Sequence, residues 1–300
     1  MSEAPDKSHK RELYGALLGL LTAVFTAIFL LSFRAAAEHA GRNTIVFAML
    51  LGAAVFNSLV TLSRLPQTPA PNTTWVKSAL FLALMTIVGN AALASALPVL
   101  GPGTTSTMMQ LQVFFVAAGA WVFLRERVGM PWFIGALLAA GGFASFAVPS
   151  GSGASLGLYG LVAGLLTALC FSAMMVWTRA VIRNLDPVSL NAGRLWISVA
   201  VLALWPGVLS SALERSAKAW MLTTAAAACG PFLARLALMY SLRFISAAQT
   251  KLWSMLAPVF AFLFVYMIYG SVPSWREVVG GLLIVSGVLL PTGARLWRTR

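Results

Sequence analysis

Acidic side chains are scarce in this 300-residue chain, which has eight Asp and Glu against 21 Lys and Arg. Every acid lies in a tail, in a loop or at the end of an apolar run. The eight are Glu3, Asp6, Glu12, Glu38, Glu126, Asp186, Glu214 and Glu277. A buried proton relay usually uses Asp, Glu or His, and the apolar runs of this sequence carry none at their centres.

Histidine and cysteine are rare as well, with two of each. His9 and His39 are peripheral, and Cys170 and Cys229 lie in separate apolar runs, where a lone cysteine behaves as a small apolar residue. An enzyme would need a nucleophile and a base, or metal ligands, that converge on one site. We therefore expect no enzymatic activity, no metal site and no cofactor.

Long polar stretches are missing too, because the chain is 59% hydrophobic and 10% charged, with a mean hydropathy of +0.85. Crossing a hydrocarbon core takes about 20 apolar residues per helix. Ten such runs are present, at 12–34, 44–63, 75–97, 104–124, 130–149, 157–180, 188–208, 219–243, 247–269 and 276–294. They predict an all-α polytopic membrane protein with ten transmembrane helices in the lipid bilayer, and no soluble domain.

The basic residues are distributed unevenly over the predicted loops. If both termini are cytoplasmic, the outside segments hold only Arg34, Arg42, Arg215, Lys218 and Arg276. Most of the others fall inside, including those in the tails 1–11 and 295–300. This is the positive-inside bias of membrane proteins, so the net charge of +13 reports topology and predicts no nucleic-acid partner. The predicted location is a bacterial inner membrane, with both termini cytoplasmic.

The chain contains an internal repeat with a constant offset. "LYGALLGLLTA" from Leu13 aligns with "LYGLVAGLLTA" from Leu158, an offset of 158 − 13 = 145 that continues without a gap. The repeats, 12–149 and 157–294, hold five predicted helices each, so the second would enter the membrane from the opposite side. Inverted repeats are typical of secondary transporters with a central site, and we favour a transporter over a scaffold, a receptor or a channel.

Several motifs carry a family resemblance over essentially the whole chain. These are "FLRER" (123–127), "GALLAAGG" (135–142), "MLAPVFAFLF" (255–264) and "VVGGLLIVSGVLL" (278–290). With ten helices in two halves, the chain resembles an EamA-type member of the drug/metabolite transporter superfamily. The resemblance implies export of amino acids or related metabolites. Ser271 stands where the family pattern has a glutamate, and the first helix lacks the glutamate with which small multidrug relatives hold organic cations, which disfavours export of lipophilic cations.

Two cations, Arg235 and Lys251, lie inside predicted helices. A charge at the bilayer centre costs about 2.5–3.5 kcal/mol on the insertion scale. One interpretation is that both side chains snorkel to the cytoplasmic headgroups. The other is that they line a central cavity and bind an anionic group. For Arg194, two turns into the seventh helix, the sequence favours snorkelling.

The repeat extends the cavity hypothesis to neutral residues. An offset of 145 maps Arg235 onto Asn90 and Lys251 onto Ser106, and Gln110 lies one turn beyond Ser106. Ser254 shares a face with Lys251, and Tyr240 and Trp253 could stack on a substrate or simply pack. The predicted substrate-binding residues are thus Arg235, Lys251, Asn90, Ser106, Gln110, Ser254, Tyr240 and Trp253.

Together these patterns predict a carrier for small molecules with an anionic or zwitterionic group, working by alternating access without coupling through a buried acid. Amino acids or related carboxylates are the leading substrates, and the alternative is an exchanger of phosphorylated metabolites or nucleotide-sugars. The sequence indicates no obligate protein partner. It sets no direction of transport by itself, because alternating access is reversible.

Overall fold

The computed structural model describes residues 4–39, 41–63, 72–124, 130–147, 154–182, 184–245, 250, 253–254, 256–272 and 274–298. Within this part of the chain the secondary structure is helical, without a β-strand. Lys251 and Glu126 lie outside the described residues, as do the adjoining Arg125 and Arg127.

Twelve α-helices are defined in the described residues. Those of the first repeat are α1 Ala4–Ala37, α2 Arg42–Leu62, α3 Thr73–Met109, α4 Gln112–Leu124 and α5 Met130–Ala147. Those of the second are α6 Ala154–Val181, α7 Pro187–Ala203, α8 Val208–Leu213, α9 Ala217–Ala227, α10 Arg235–Phe244, α11 Ala257–Tyr269 and α12 Trp275–Arg298. A π-helix, Ala228–Ala234, joins α9 to α10.

Long apolar helices make this an integral membrane protein. Five described segments are long and apolar enough to cross a bilayer, namely Leu13–Ala37, Arg42–Leu62, Thr73–Met109, Gly157–Thr178 and Ala217–Ser241. Shorter apolar helices cover Pro187–Ala203, Ala257–Tyr269 and Val278–Gly287. The count of ten spans stays a prediction.

Side-chain caps fix where several helices begin. Asn72 accepts from the backbone N–H of Trp75 (2.8 Å) at the start of α3, and Asp186 accepts from that of Ser189 (2.7 Å) at the start of α7. Pro187 occupies the first turn of α7, where its missing N–H leaves no helical bond unmade. The carboxylate of Asp186 therefore stays at a helix end, as expected for the acids of this chain.

Helices of one repeat pack on helices of the other, so the two repeats do not form separate bundles. Helix α1 packs on the segment from α9 to α10 of the other repeat, and α6 packs in the same way on α3. Two pairs of equivalent helices meet directly, α2 with α7 and α5 with α12. Exchanging the repeats therefore reproduces the pattern of contacts, as a pseudo-two-fold relation requires.

Glycines show the same relation at single residues. A side chain at Gly15 would collide with Phe244 and Ile245, and one at Gly160 would collide with the equivalent residues Val99 and Leu100. Each crossing joins the first helix of one repeat to the residues just after the third predicted span of the other. Small residues at such crossings let the backbones approach closely. Both glycines therefore serve the close packing of these crossings.

Two predicted helices are interrupted at equivalent places. The fourth predicted run is broken at Gln110 and Leu111, between α3 and α4, and α3 itself contains a kink at Gly101, whose φ is 75°. In the ninth predicted run α11 begins only at Ala257, after Leu256. Adding 145 to Leu111 gives Leu256, so the described residue before α11 is equivalent to the second residue of the first break. Pro258 falls in the first turn of α11. Its missing N–H therefore leaves no carbonyl unpaired in the interior of that helix.

Candidate functional site

A cavity of about 160 Å³ lies between the two repeats. Both interrupted helices contribute to it, together with α1, α6, α7, the π-helix and α10. Its wall comprises Thr22, Thr26, Phe29, Asn90, Ser106, Met109, Gln110, Gln112, Phe171, Met174, Met175, Arg194, Gly230, Pro231, Ala234, Arg235, Leu238, Ser254 and Ala257. Aromatic and thioether side chains supply the apolar part of this wall, and amides, hydroxyls and two guanidinium groups supply the polar part.

Five of the residues predicted from sequence meet in this wall: Asn90, Ser106, Gln110, Arg235 and Ser254. Two others lie elsewhere. Trp253 is 38% exposed and packs on Gly19 of α1, and Tyr240 does not belong to the wall. Lys251 is outside the described residues.

The sequence favoured a snorkelling side chain for Arg194, and the structure shows that this expectation is wrong. Arg194 is only 2% exposed and forms part of the cavity wall. Its Nε donates to Asn191 Oδ1 (2.8 Å), its Nη1 to Thr86 Oγ1 (2.6 Å) and its Nη2 to the carbonyl of Pro231 (3.4 Å). A snorkelling arginine would keep its head group in water, whereas this one is held by neutral oxygens inside the protein.

A chain of amides fixes the Arg194 guanidinium from behind. Asn57 Nδ2 donates to the carbonyl of Val188 (2.9 Å), and Asn57 Oδ1 accepts from Asn191 Nδ2 (2.8 Å). Asn191 Oδ1 then accepts from Arg194. Both asparagines are fully buried. Because each amide both donates and accepts a hydrogen bond, the network restricts the orientation of the Arg194 side chain.

Arg235 begins α10 and is the second cation of the wall. Its Nη2 donates to Thr178 Oγ1 of α6 (3.0 Å), while its buried Nε–H has no hydrogen-bond partner among the described residues. A buried, unpaired N–H of a charged group carries a large desolvation penalty. The guanidinium therefore has unused capacity to donate to an anion.

The π-helix explains how Pro231 enters the polar network. Proline lacks an N–H, so the regular ladder is interrupted at this point, and the chain widens into a π-turn. The Pro231 carbonyl accepts from Arg194 Nη2 and from Asn191 Nδ2, both at 3.4 Å. Such π-turns inside helices are frequent at functional sites.

Both helix breaks lie at the cavity. Helices α4 and α11 begin at Gln112 and Ala257, which are equivalent residues of the two repeats and both belong to the wall. At the first break the backbone N–H groups of Val113 and Phe114 already donate to the carbonyls of Gln110 and Leu111 (3.1 and 3.0 Å), so α3 continues into α4 through a tight turn. Among the described wall residues none is acidic.

Some polar atoms of the wall are not satisfied within the protein. Gln110 Nε2 donates to the carbonyl of Ser106 (3.4 Å), but Gln110 Oε1 and Ser106 Oγ have no partner in the described structure. Asn90, by contrast, donates from Nδ2 to the carbonyl of Thr86 (2.7 Å). The first repeat thus offers an open acceptor and an open hydroxyl, and the second offers an open N–H donor on Arg235.

Arg194 is the residue that sequence reasoning missed, although a signal existed. Asn191, Arg194 and Ser198 follow the i, i+3, i+7 spacing of one helix face. All three are buried. A polar stripe along an otherwise apolar helix indicates a face turned toward protein or a cavity rather than toward lipid.

Comparison with known proteins agrees with the repeat. The EamA-like transporter family matches this chain twice, at residues 13–147 and 158–292, again 145 residues apart. No curated protein matches it. Among solved structures 28 chains match. One crystal structure, with 18% identical residues, gives a TM-score of 0.64 and covers 95% of this chain and 98% of its own. At that identity the likeness shows the fold alone.

Proposed function

The chain belongs to the EamA-like transporter family, and from that premise we propose that it is a secondary transporter of small metabolites that carry an anionic group. Amino acids and related carboxylates are the proposed substrates. The proposed architecture is ten transmembrane helices in two inverted five-helix repeats, in a bacterial inner membrane with both termini cytoplasmic.

One observation carries this proposal: two arginines, Arg194 and Arg235, stand in the wall of one cavity, and no acid accompanies them among the described wall residues. Burying an unpaired charge is expensive, and buried ionic groups are normally paired. A guanidinium matches the geometry of a carboxylate or phosphate and binds it through two parallel bonds. A bound substrate anion would supply the negative charge that the described wall lacks.

The proposed mechanism is alternating access around this cavity. The wall is built from both repeats, and each repeat packs its first helix on the other. Because the two sets of contacts are equivalent, exchanging their detailed geometries gives a second arrangement of similar energy that opens toward the other side. Lys251, which precedes α11 in the sequence, is proposed as a further cation of the site, and Ser254 as a polar contact.

Transport is proposed to proceed without a proton relay through a buried acid. The described wall has no Asp, Glu or His, and these are the residues on which membrane proton relays usually depend. An uncoupled carrier that moves an anion transfers net charge. The membrane potential, negative inside, then drives the anion outward by about 2.3 kcal/mol per charge for about 100 mV, which favours export.

The alternative function is an exchanger of phosphorylated metabolites or nucleotide-sugars. The observation that favours it is the second arginine, because Arg194 and Arg235 together could neutralise a doubly charged phosphate. Counterflow separates the two candidates, since an obligatory exchanger transports labelled substrate only when unlabelled substrate is present on the other side.

A thermal-shift screen of the purified protein tests the proposal. Carboxylates, phosphate esters, amino acids and organic cations are compared on the parent, on Arg235→Gln and on Lys218→Gln, which removes an exposed charge from α9. A ligand that binds the native state raises the midpoint by mass action. The expected result is that acids stabilise the parent and Lys218→Gln but not Arg235→Gln. Stabilisation by organic cations alone would refute the proposal.

A further inference from the structure

We infer that the cavity selects substrates that are net anionic and carry neutral hydrogen-bond donors, such as hydroxy acids and polyol phosphates, over zwitterions such as amino acids. This inference rests on the proposed transport of metabolites with an anionic group, and it narrows the proposed substrates, amino acids and related carboxylates, to those that carry no ammonium group. It follows from the combined charge and hydrogen-bonding capacity of the wall.

Charge comes first. Arg194 and Arg235 place two positive groups in the wall, and the described wall residues include no carboxylate to accompany them. An ammonium group that enters with an amino acid is repelled by these groups, and it has no counter-ion in the described wall. A carboxylate or phosphate without an ammonium meets only attraction.

Hydrogen bonding then indicates what else the substrate carries. Gln110 Oε1 is a buried acceptor without a partner, so it matches a donor on the ligand. Ser106 Oγ, one turn away on α3, is also unpartnered and can donate or accept. A hydroxyl or an amide N–H satisfies both atoms without bringing positive charge. The unpartnered Nε–H of Arg235 matches the acid itself.

The repeat gives these groups an order in the cavity. Arg235 and Asn90 are equivalent positions, so the second repeat presents a cation where the first presents an amide. Gln110 and Ser106 also belong to the first repeat. A substrate that spans the cavity therefore places its anionic end toward Arg235 and its hydroxylated end toward the first repeat.

Matched pairs of compounds test this selectivity. Glycerate and serine differ only in the group at carbon 2, a hydroxyl in one and an ammonium in the other. Likewise 2-hydroxyethyl phosphate and phosphoethanolamine differ only in the terminal group, and they separate phosphate from carboxylate recognition. Binding is measured by thermal shift on the purified full-length protein, and transport by counterflow in liposomes. Glycerate and 2-hydroxyethyl phosphate are expected to bind on the order of tenfold more tightly than their zwitterionic counterparts.

Two variants of one residue sharpen the test. Gln110→Glu puts a carboxylate into the wall, and we expect it to shift preference from glycerate toward serine. Gln110→Leu removes the acceptor. We expect it to weaken the binding of glycerate and to leave unchanged the binding of propionate, which has no hydroxyl. A purely structural role of Gln110 would change all ligands alike.

The outcomes separate this inference from the proposed function. If serine binds as tightly as glycerate, and both depend on Arg235, the inference is overturned and transport of anionic metabolites stands. If the acids fail to bind the folded protein while organic cations bind, the proposed function itself fails. If the anionic member of either pair is preferred and Gln110→Glu reverses that preference, the inference holds.

Discussion

Arg194 and Thr86 are joined by a 2.6 Å hydrogen bond from Nη1 to Oγ1, across 108 residues of sequence. The same guanidinium donates to the carbonyl of Pro231. Thr86 and Pro231 are equivalent positions of the two repeats, so Arg194 bonds to both copies of one site. A group in contact with both copies lies close to the axis that relates them, which places Arg194 near the centre of the protein.

Removing the Thr86 hydroxyl should destabilise the protein. Thr86→Val keeps the shape of the side chain but leaves a buried N–H of Arg194 without its acceptor, at a cost of about 1–3 kcal/mol. Thr22→Val is the matched control, because the Thr22 hydroxyl donates only to Leu18 of its own helix. Thermal unfolding in detergent should show the larger loss for Thr86→Val. Equal losses in the two variants would mean that the Arg194 bond contributes nothing.

The amide chain behind Arg194 should behave as one unit. Asn57→Leu and Asn191→Leu each break the hydrogen bond from Asn191 Nδ2 to Asn57 Oδ1. Either substitution should therefore lower the free energy of unfolding by less when the other is already present. A double-mutant cycle should give a coupling of about 0.5–3 kcal/mol. Asn57→Leu combined with Thr223→Val, in a separate buried cluster, should be additive within about 0.5 kcal/mol. Additivity in the asparagine pair would show that the two amides act independently.

The repeat offset predicted more of the cavity than local patterns did. It connected Arg235 to Asn90 and led to Ser106 and Gln110, and all four lie in the wall. The reason is physical: equivalent positions of two repeats around a pseudo-two-fold axis lie at equivalent distances from that axis. The lengths of the apolar runs also located the long helices, because a helix must be about 20 apolar residues long to cross a membrane.

Properties that depend on side-chain partners could not be predicted in this way. Arg194 has the sequence environment of a snorkelling residue, and only its bonds to Asn191 and Thr86 place it inside. Trp253 is near the cavity in sequence but turns to Gly19 instead. The break at Gln110 and Leu111 was also missed, because no glycine or proline marks it.

Adjacent glycines in α5 should respond differently to alanine. A methyl carbon at Gly142 would lie 2.6 Å from the carbonyl oxygen of Gly280 in α12, whereas at Gly141 it would meet no atom within 4 Å. Gly142→Ala should therefore destabilise by about 1–3 kcal/mol through overpacking. Gly141→Ala should be neutral or stabilise by up to about 1 kcal/mol from helix propensity. Thermal midpoints compare the two directly, and a neutral Gly142→Ala would contradict the close crossing of α5 and α12.

Membrane potential, and not a pH gradient, should drive the transport of a monovalent acid. The described cavity wall has no Asp, Glu or His, and an arginine guanidinium is not a proton carrier in proteins because it stays charged. Transport of the anion therefore moves charge without an obligatory proton. In liposomes loaded with labelled glycerate, a potassium diffusion potential that is negative inside should accelerate efflux, and a positive one should slow it. A pH gradient applied at zero potential should not concentrate the acid. If the gradient alone concentrates it many-fold, and the potential has no effect, a proton is carried with the substrate and a titrating group must face the cavity.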